Sequence, residues 1–412
     1  MLKIYKPWLI TFVIIVYYLN CYGRQKIGTE SKKPCDTVKA VIDSSKQRDL
    51  IDVAQKLFNP SVPPDQRKKP KKLLFSVVPS VGYTLSTGFA ADLAGNVAFY
   101  TSQNRHENLS SIDGDVSYNS MNQKIFVSRS NIWTQNNGYN FISDIRWERL
   151  PQNTFGLGTF STNKQADHID FEYVKVYTTL YKRVSGDYFL GAGYNLNYHY
   201  NVSESAVAGK AISGFKSYGL YPQTTSSGLS FDFLYDSRRN ALNPLGGGLF
   251  SVAYRQNLTF LGSTSDWKSL FIDARKYIKL STGSNNVLAF WGIVWLTNGN
   301  VPYLDLPGTG NDQYNNTGRG YAEGRFRGQN MLYLEAEYRF GITSNGLLGG
   351  VLFANAESLS EYPGNDFKRI APAAGPGIRI KVNKHSNTNL CLDYGIGIYG
   401  SRGFFVNLGE VF

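Results

Sequence analysis

The sequence predicts an all-β protein, a closed antiparallel transmembrane β-barrel of about 16 strands that follows a short, partly helical N-terminal segment. From residue 73 onward, apolar and polar residues alternate with a period of two, and turns rich in Gly, Asn, Ser and Asp separate the alternating stretches. The stretch 187–202 alternates over about 16 residues, whereas strands of soluble domains average about 5–6. Near the end of the chain, Arg379 and Lys381 alternate with an unbroken aliphatic row. A polar lumen and an apolar outer face are typical of a membrane barrel.

Residues 1–23 are predicted to be a signal peptide. Lys3 and Lys6 precede the apolar run WLITFVIIVYYL, and the following CYG places small residues at positions −3 and −1 of a cleavage after Gly23. The run has 12 residues, which suits the apolar part of a signal peptide, whereas a membrane-spanning helix needs about 20. A helical anchor is the alternative interpretation.

Residues 24–72 are predicted to be a basic, partly helical periplasmic segment with a linker. They hold 13 Lys and Arg against 6 Asp and Glu, a large part of the net charge of +12. Residues 36–58 have helical spacing of apolar residues, and the Pro-rich basic stretch after them cannot build a core. Because the positive charge is concentrated here, we expect it to face anionic lipid headgroups, and we expect no nucleic-acid partner.

Residues 73–412 are predicted to form the barrel. The alternation predicts sixteen strands, an even number that leaves both termini on one side of the membrane. Their approximate bounds are 73–83, 89–101, 113–121, 124–135, 138–150, 168–184, 187–202, 225–236, 246–261, 266–281, 285–299, 329–343, 347–359, 370–384, 389–400 and 403–412.

The lengths of the connections predict the orientation of the barrel. The longest connections, 151–167, 203–224 and 300–328, follow odd-numbered strands, whereas most connections after even-numbered strands are short. Outer-membrane barrels have long extracellular loops and short periplasmic turns. We therefore expect a bacterial outer-membrane location with the N-terminal segment in the periplasm.

The segment GRGYAEGRFRG, residues 318–328, closes the longest of these connections. A phosphate-binding loop requires a strand-to-helix context with Gly-Lys-Ser/Thr, and the segment has neither, so a nucleotide site is excluded. The four His residues are scattered, and no HExxH, CxxC or nucleophile-elbow motif is present in the sequence. We expect no enzyme activity, no metal and no cofactor.

Four motifs over residues 73–412 resemble the BamA/TamA-like outer-membrane assembly barrels of the bacterial surface antigen superfamily. GRGY (Gly318 to Tyr321) resembles the Arg-Gly-Phe/Tyr tip of that family's long extracellular loop, which folds back into the barrel. YDSRRNALNPLGGG is similar to its periplasmic turn after the eighth strand, and GGVLFANAES to a strand motif of the form Phe-x-Asp-x-Gly. The closing FFVNLGEVF resembles its last strand, which ends in an aromatic residue.

The resemblance implies roles for residues of the loop and of the barrel wall. The loop tip would consist of Arg319, Gly320 and Tyr321, with the arginine paired to a Glu of the twelfth strand and an Asp of the thirteenth. Those positions correspond to Glu337 and Asn355, where an amide replaces the expected carboxylate. An amide can accept a hydrogen bond from guanidinium but supplies no charge. Glu335 and Glu357 are further candidate partners, and a solvated loop arginine is the alternative interpretation.

Two further sets of residues are singled out by the same resemblance. The first is a rigid periplasmic turn, in which Asp and Asn cap local backbone groups: Asp236, Arg238, Asn240, Pro244 and Gly247. The second is a seam between the first and last strands, weakened because Pro79 lacks a ladder donor, together with a terminal signal whose aromatic and aliphatic side chains are expected to face lipid: Phe404, Leu408, Gly409 and Phe412. Alternatively, Pro79 lies at the start of the strand, before full pairing with the neighbouring strands begins.

The resemblance implies insertion or assembly of outer-membrane proteins through that seam. Residues 24–72 are too short for even one polypeptide-transport-associated domain with its linker, so separate periplasmic or lipoprotein partners would present unfolded clients. A translocation pore for one dedicated passenger and a passive, porin-like barrel are the alternatives. In each case outer-membrane lipid surrounds the barrel.

Overall fold

The computed structural model describes residues 47–50, 52–53, 73–84, 88–101, 108, 110–161, 166–204, 218–219, 221–238, 240–281, 284–313, 315–384 and 386–412. All of them belong to the second of two units, Asp43–Phe412. The predicted signal peptide and most of the predicted helix 36–58 lie outside the described residues, although residues 50, 52 and 53 are helical. Among the described residues, no helix is long and apolar enough to cross a membrane.

The described chain is an antiparallel meander of sixteen long strands, as predicted. The strands are β1 (Leu73–Thr84), β2 (Gly88–Phe99), β3 (Ser110–Asn119), β4 (Lys124–Trp133), β5 (Tyr139–Arg149), β6 (Asp167–Ser185), β7 (Tyr188–Glu204), β8 (Thr224–Asp236), β9 (Gly247–Asn257), β10 (Trp267–Lys279), β11 (Val287–Gly299), β12 (Asn330–Gly341), β13 (Leu348–Leu359), β14 (Ala371–Asn383), β15 (Thr388–Gly397) and β16 (Arg402–Leu408).

Each strand pairs antiparallel with the next along the chain, from β1–β2 to β15–β16. The short strand Gln152–Thr154 also pairs with β6. Single 3₁₀ turns span Gln135–Asn137, Thr259–Leu261 and Tyr303–Asp305. We call the end that carries the connections after odd-numbered strands the loop end, and the opposite end the turn end.

The two faces of the sheet are inverted relative to a water-soluble protein. In β8, Phe231 points outward and is 68% exposed, whereas its neighbour Asp232 points inward and is 8% exposed. The same alternation places Leu334 outside and Glu335 inside on β12. Apolar residues that face outward and carboxylates that face inward require a hydrocarbon environment around the sheet. The confirmed all-β fold is therefore that of a membrane barrel.

The strands shorten toward the ends of the sheet. β6 has 19 residues, whereas β15 has 10 and β16 has 7. At roughly 3.3 Å per residue, β16 is about 23 Å long before any tilt, which is less than the roughly 30 Å of a bilayer core. β1 and β16 lie side by side, with Cα atoms within 8 Å of each other. β1 has 12 residues, so β16 is too short to pair with all of it.

The largest apolar core lies inside the barrel rather than between two layers. It combines inward side chains of β10, β11 and β12 with side chains of the connection 300–329, and its aromatic members are Tyr277, Trp291, Tyr321, Phe326, Tyr333 and Phe412. The strand wall and the connection therefore stabilise each other. This half of the lumen is packed as a protein interior.

The predicted position of Phe412 on the outward face of the last strand is wrong. Phe404 and Leu408 face outward, and Phe404 is 53% exposed, but Phe412 is only 2% exposed and belongs to the lumenal core. β16 ends at Leu408, and Gly409 has a φ of +94°, a left-handed conformation that glycine adopts readily. This turn ends the period-two alternation and directs the last residues into the lumen.

A charge on the outward face of β8 is expected to destabilise the barrel. Phe231→Lys places an ammonium group near the middle of the strand in contact with hydrocarbon, and the expected loss is about 2–4 kcal/mol. The measurement is denaturant unfolding of the protein in lipid vesicles. Tyr221→Lys, at an exposed residue of the loop end, is the control and should leave the unfolding midpoint unchanged. Equal midpoints for both variants would contradict the assigned lipid face.

Candidate functional site

The connection 300–329 between β11 and β12 folds into the barrel, and we call it the inserted loop. Its two arms pair with each other through the bridge Gly308–Arg327 and through a hydrogen bond of 3.0 Å from the Thr309 amide to the Phe326 carbonyl. Tyr321 and Phe326 are buried. The loop is therefore a folded hairpin inside the lumen, and its tip contains the predicted motif.

Arg319 lies at the centre of this site and is 1% exposed. Its guanidinium contacts Glu335 and Glu337 of β12 and donates a 2.5 Å hydrogen bond to Asp393 of β15. The guanidinium carbon also lies 3.9 Å from the centre of the Phe353 ring. A buried charge is tolerated when several opposite charges and hydrogen bonds surround it. These contacts hold the loop tip against two strands of the wall.

The Arg319 contacts are part of a larger set of ion pairs, which we call the charge cluster. Arg339 Nε lies 2.6 Å from Glu337 Oε2, and Arg379 lies 2.5 Å from Asp393 and 2.8 Å from Glu410. The cluster has three arginines and four carboxylates, and each carboxylate touches at least one arginine: Arg319, Arg339, Arg379, Glu335, Glu337, Asp393 and Glu410. Because the groups are shared, removing one leaves others unpaired inside the protein.

The expected role of Asn355 as a partner of the Arg319 guanidinium is wrong. The expectation that Glu357 pairs with this guanidinium is also wrong. The Asn355 amide instead donates a hydrogen bond of 2.9 Å to the backbone carbonyl of Arg319. Glu357 accepts a hydrogen bond of 2.9 Å from the Thr309 hydroxyl, at the base of the loop hairpin. The third carboxylate comes from Asp393, which the sequence reasoning missed. Its signal was an acidic residue at an inward position of β15, between Cys391 and Gly395.

The glycines of the tip permit a close approach of two backbones. Gly320 has a φ of +114°, and a Cβ at Gly395 of β15 would lie 2.5 Å from the Gly320 nitrogen and 2.7 Å from its Cα. Tyr321 follows directly, and its hydroxyl donates to the Pro372 carbonyl at 2.6 Å and accepts from the Ile398 amide at 3.1 Å. Pro372 belongs to β14, so the tip joins β14 to the end of β15.

A second anchor for the loop lies on the wall of β5 and β6. Arg146 makes a bidentate pair with Asp144 at 2.8 Å, and Lys175 of β6 lies 2.9 Å from the same carboxylate. The remaining donors of Arg146 contact the Gln313 carbonyl and, at 2.9 Å, the Asn315 side-chain oxygen. The inserted loop is therefore held between two walls, β5–β6 on one side and β12–β15 on the other.

The connection 150–161 lies across the inserted loop at the loop end. The Gly158 amide donates to the Arg327 carbonyl at 2.7 Å, and the Arg325 guanidinium donates to the Ser161 carbonyl at 2.8 Å. Thr159 exchanges hydrogen bonds of 3.1 and 2.9 Å with the backbone of Leu359 on β13. These contacts cover the inserted loop from outside.

The predicted turn motif joins β8 to β9 at the turn end. Asp236 accepts hydrogen bonds from the Arg238 amide at 3.0 Å and from its guanidinium at 2.9 Å, and Asn240 accepts from the Leu242 amide at 2.8 Å. The Asn240 amide also donates to the Ser386 carbonyl at 3.0 Å. Gly247 closes the turn with a φ of +88°, and Pro244 is buried. The turn reaches the β14–β15 connection, well beyond its own hairpin.

The remaining predicted residues lie near the seam. Pro79 of β1 stands opposite Leu93 of β2, and its side chain is exposed. Phe404 and Leu408 of β16 face outward, and Gly409 forms the turn into the lumen. The structure therefore brings Arg319, Gly320, Tyr321, Glu335 and Glu337 together with Phe412, and leaves Pro79, Phe404 and Leu408 on the outer surface.

The fold and the inserted loop define this protein as an outer-membrane β-barrel with a loop anchored inside its lumen. The Omp85 superfamily domain matches residues 110–409, and the chain belongs to the Omp85 superfamily. The resemblance to BamA/TamA-like barrels noted in the sequence is thereby confirmed.

Two solved structures show the similarity of the fold. BamA from Haemophilus ducreyi lacking POTRA domains 1–3 matches with a TM-score of 0.51 at 16% identity, over 81% of this chain and 68% of that chain. CdiB from Acinetobacter baumannii matches with a TM-score of 0.51 at 13% identity, over 82% of this chain and 60% of that chain. The search of curated protein sequences returned no match.

Arg319→Ala is expected to release the loop tip. The substitution removes the cation that three buried carboxylates share and breaks the ion pair of Glu335 with Arg319, and breaking a buried ion pair costs about 3–5 kcal/mol. The measurement is trypsin digestion of the protein in vesicles, where the buried Arg325 and Arg327 should become cleavable. Arg369→Ala, an exposed arginine of a neighbouring connection, is the control. An uncut loop in folded Arg319→Ala would show that the charge cluster does not hold it.

Gly395→Ala is expected to displace the same tip without changing any charge. The added methyl group would lie 2.5 Å from the Gly320 nitrogen, so one of the two backbones must move. We expect trypsin to cut the loop of this variant, but more slowly than that of Arg319→Ala. Gly341→Ala is the control, because a Cβ at Gly341 has no atom within 4 Å. Identical digestion of the two glycine variants would contradict the close backbone packing.

Proposed function

We propose that this barrel inserts or assembles outer-membrane proteins through a lateral seam between β1 and β16. The observation that carries the proposal is the mismatch of the two strands. β16 has 7 residues against 12 in β1, and the chain leaves the sheet at Gly409. Part of β1 therefore extends past the end of β16, with backbone groups that β16 cannot pair.

Such an edge is a template for another strand. Unpaired backbone groups are costly in hydrocarbon, and an incoming strand satisfies them by β-augmentation. Pro79 removes one donor from β1, which weakens pairing on whichever side it faces. The seam opens, pairs a client strand and releases it without consuming a nucleotide, so the proposed activity requires no catalytic residue, metal or cofactor.

The short strands beside the seam support the same mechanism. An outer face shorter than the bilayer core causes the lipid to thin locally, and thinner lipid lowers the barrier to insertion of a new strand. β16 is the shortest of the sixteen numbered strands, and β6 and β7, which lie away from the seam, are the longest. The difference in height therefore directs the thinning to the place where clients would enter.

The occupied lumen disfavours the porin-like alternative. The inserted loop is anchored on two opposite walls, and the connection 150–161 lies across it. Arg379, which a passive pore would expose to permeating ions, is instead buried in the charge cluster. A translocation pore for one passenger would require the loop to leave the lumen, whereas insertion at the seam requires only β1 and β16 to separate.

The proposed orientation places the N-terminal segment in the periplasm. The Arg48 amide donates to the Asn345 carbonyl at 3.0 Å, and Lys384 Nζ lies 2.8 Å from Asp52 Oδ2. Asn345 and Lys384 both lie in connections at the turn end, which is the periplasmic end of an outer-membrane barrel. Clients would be unfolded outer-membrane proteins, presented by separate periplasmic or lipoprotein partners.

The test is reconstitution of the purified protein into liposomes and measurement of the rate at which an unfolded outer-membrane protein inserts. We expect faster insertion than in empty liposomes, because the seam supplies a pairing edge and thinned lipid. In a set of variants, one residue of 77–81 and one of 403–407 are replaced by cysteine, so that a disulfide joins β1 to β16. This lock should abolish the acceleration.

Reduction of the disulfide is the matched control and should restore the rate. Acceleration that persists in the locked protein would sink the seam mechanism. No acceleration together with steady ion conductance would instead favour a pore.

A further inference from the structure

Residues 409–412 leave the sheet and enter the lumen, and we call them the lumenal tail. The Gly409 amide still donates to the Asn389 carbonyl of β15 at 2.8 Å, whereas the Glu410 amide donates to the Leu242 carbonyl at 2.8 Å. Leu242 belongs to the β8–β9 turn, on a distant part of the barrel. The tail therefore begins at the end of the seam strand β16, and its second residue is already bound to the turn between β8 and β9.

The side chain of Phe412 fills a pocket of the lumenal wall. Its ring stacks on Trp291 with centroids 5.1 Å apart and an interplanar angle of 29°, and it lies 6.2 Å from Tyr277. The Arg339 guanidinium carbon lies 5.2 Å from the ring centre, and Arg339 Nη2 donates to the Phe412 backbone oxygen at 3.0 Å. Aromatic stacking and a cation over the ring are each worth about 0.5–1.5 kcal/mol, so the pocket binds the ring firmly.

The inserted loop holds the tail from the other side. The Asn316 amide group donates to the Val411 carbonyl at 2.6 Å. Asn316 is itself positioned by its backbone amide, which donates to Asp312 at 2.9 Å. Because Asn316 lies three residues before Arg319, the tail touches the part of the loop that is clamped between the two anchors.

Glu410 connects the tail to the charge cluster. Its carboxylate accepts from Arg379 Nε at 2.8 Å and from the Asn389 amide at 2.7 Å, and Arg379 in turn pairs with Asp393, a partner of Arg319. The arginine of the loop tip and the carboxylate of the tail therefore belong to one chain of buried ion pairs, linked through Asp393 and Arg379. Displacing one changes the stability of the other.

We propose that the lumenal tail is a latch that ties the seam strand β16 to the inserted loop. Its role at the seam rests on the proposed function. With the latch closed, β16 can move away from β1 only if Phe412 leaves its pocket and Val411 loses Asn316. Withdrawal of the loop removes the Asn316 contact and weakens the charge cluster, so it frees β16. The coupling is reciprocal, so pulling β16 outward also loosens the loop.

The test measures exposure of the tail directly. Val411→Cys is expected to react slowly with a membrane-impermeant maleimide in vesicles, because Val411 is buried and only its backbone contacts Asn316. Adding Asn316→Ala should raise the labelling rate about 3- to 10-fold, the change in an opening equilibrium when one hydrogen bond is lost. Adding Arg319→Ala should raise it at least about tenfold, because a buried ion pair is broken.

Two controls accompany this test. Asn298→Ala removes an exposed amide at the loop end and should leave labelling of Val411→Cys unchanged. The chain without the Val411 substitution measures labelling of the native thiols. If folded Asn316→Ala and Arg319→Ala both leave the labelling rate unchanged, the latch is overturned.

A second variant keeps the test independent of the loop substitutions. Phe412→Ala empties the aromatic pocket and should raise the labelling of Val411→Cys, whereas Phe404→Ala on the outer face should not. The labelling needs no client, so failure of the latch and failure of the proposed insertion activity are distinguishable. A tail that responds as expected in a protein that accelerates no insertion would overturn the proposed function and keep the latch.

Discussion

A single buried cation organises the interior of this barrel. Arg319 is almost completely buried, and a charge in that position is stable only because carboxylates from β12 and β15 surround it. The carboxylates in turn need Arg339 and Arg379, and Arg379 needs Glu410. The position of the loop tip and the charged inward side chains around it follow from this requirement that buried charges be paired, and Glu410 links the last residues to the same cluster.

The same requirement makes the cluster sensitive to conformational change. Its members come from the loop, from three strands and from the tail, and no pair is isolated from the rest. A movement of the loop therefore changes the electrostatic environment of β12, β15 and the tail together. A packed, shared network of this kind favours two discrete arrangements over gradual deformation, which is compatible with the proposed opening of the seam.

The backbone imposes a second constraint at the seam. Every other neighbouring pair of described strands has a continuous or nearly continuous register, and β16 is too short to extend that pattern across β1. Hydrocarbon offers no hydrogen bonds to the backbone groups left over. The tail compensates in part for the few hydrogen bonds that so short a strand can form with β1, because its contacts inside the lumen hold the end of β16 in place.

Much of this architecture could be predicted from the sequence, because it depends on local patterns. Period-two alternation, charges on inward faces and glycine-rich turns are properties of neighbouring residues, and they predicted the sixteen strands and their faces. The Arg319 motif was predicted from the family resemblance. Of the two strands on which the resemblance placed partners of the Arg319 guanidinium, only β12 supplies them. Asp393 comes from β15, and nothing in the 73 residues between them tells which inward carboxylate the guanidinium reaches.

The path of the lumenal tail was decided by the tertiary structure alone. Phe404, Leu408 and Phe412 share one parity along the chain, so alternation places all three outside. The left-handed turn at Gly409 and the stacking of Phe412 on Trp291 override that pattern. The sequence determined which residues can face lipid, since that is a property of each side chain. Which of them are instead buried in the lumen depends on contacts between distant strands, and those exist only once the barrel has formed.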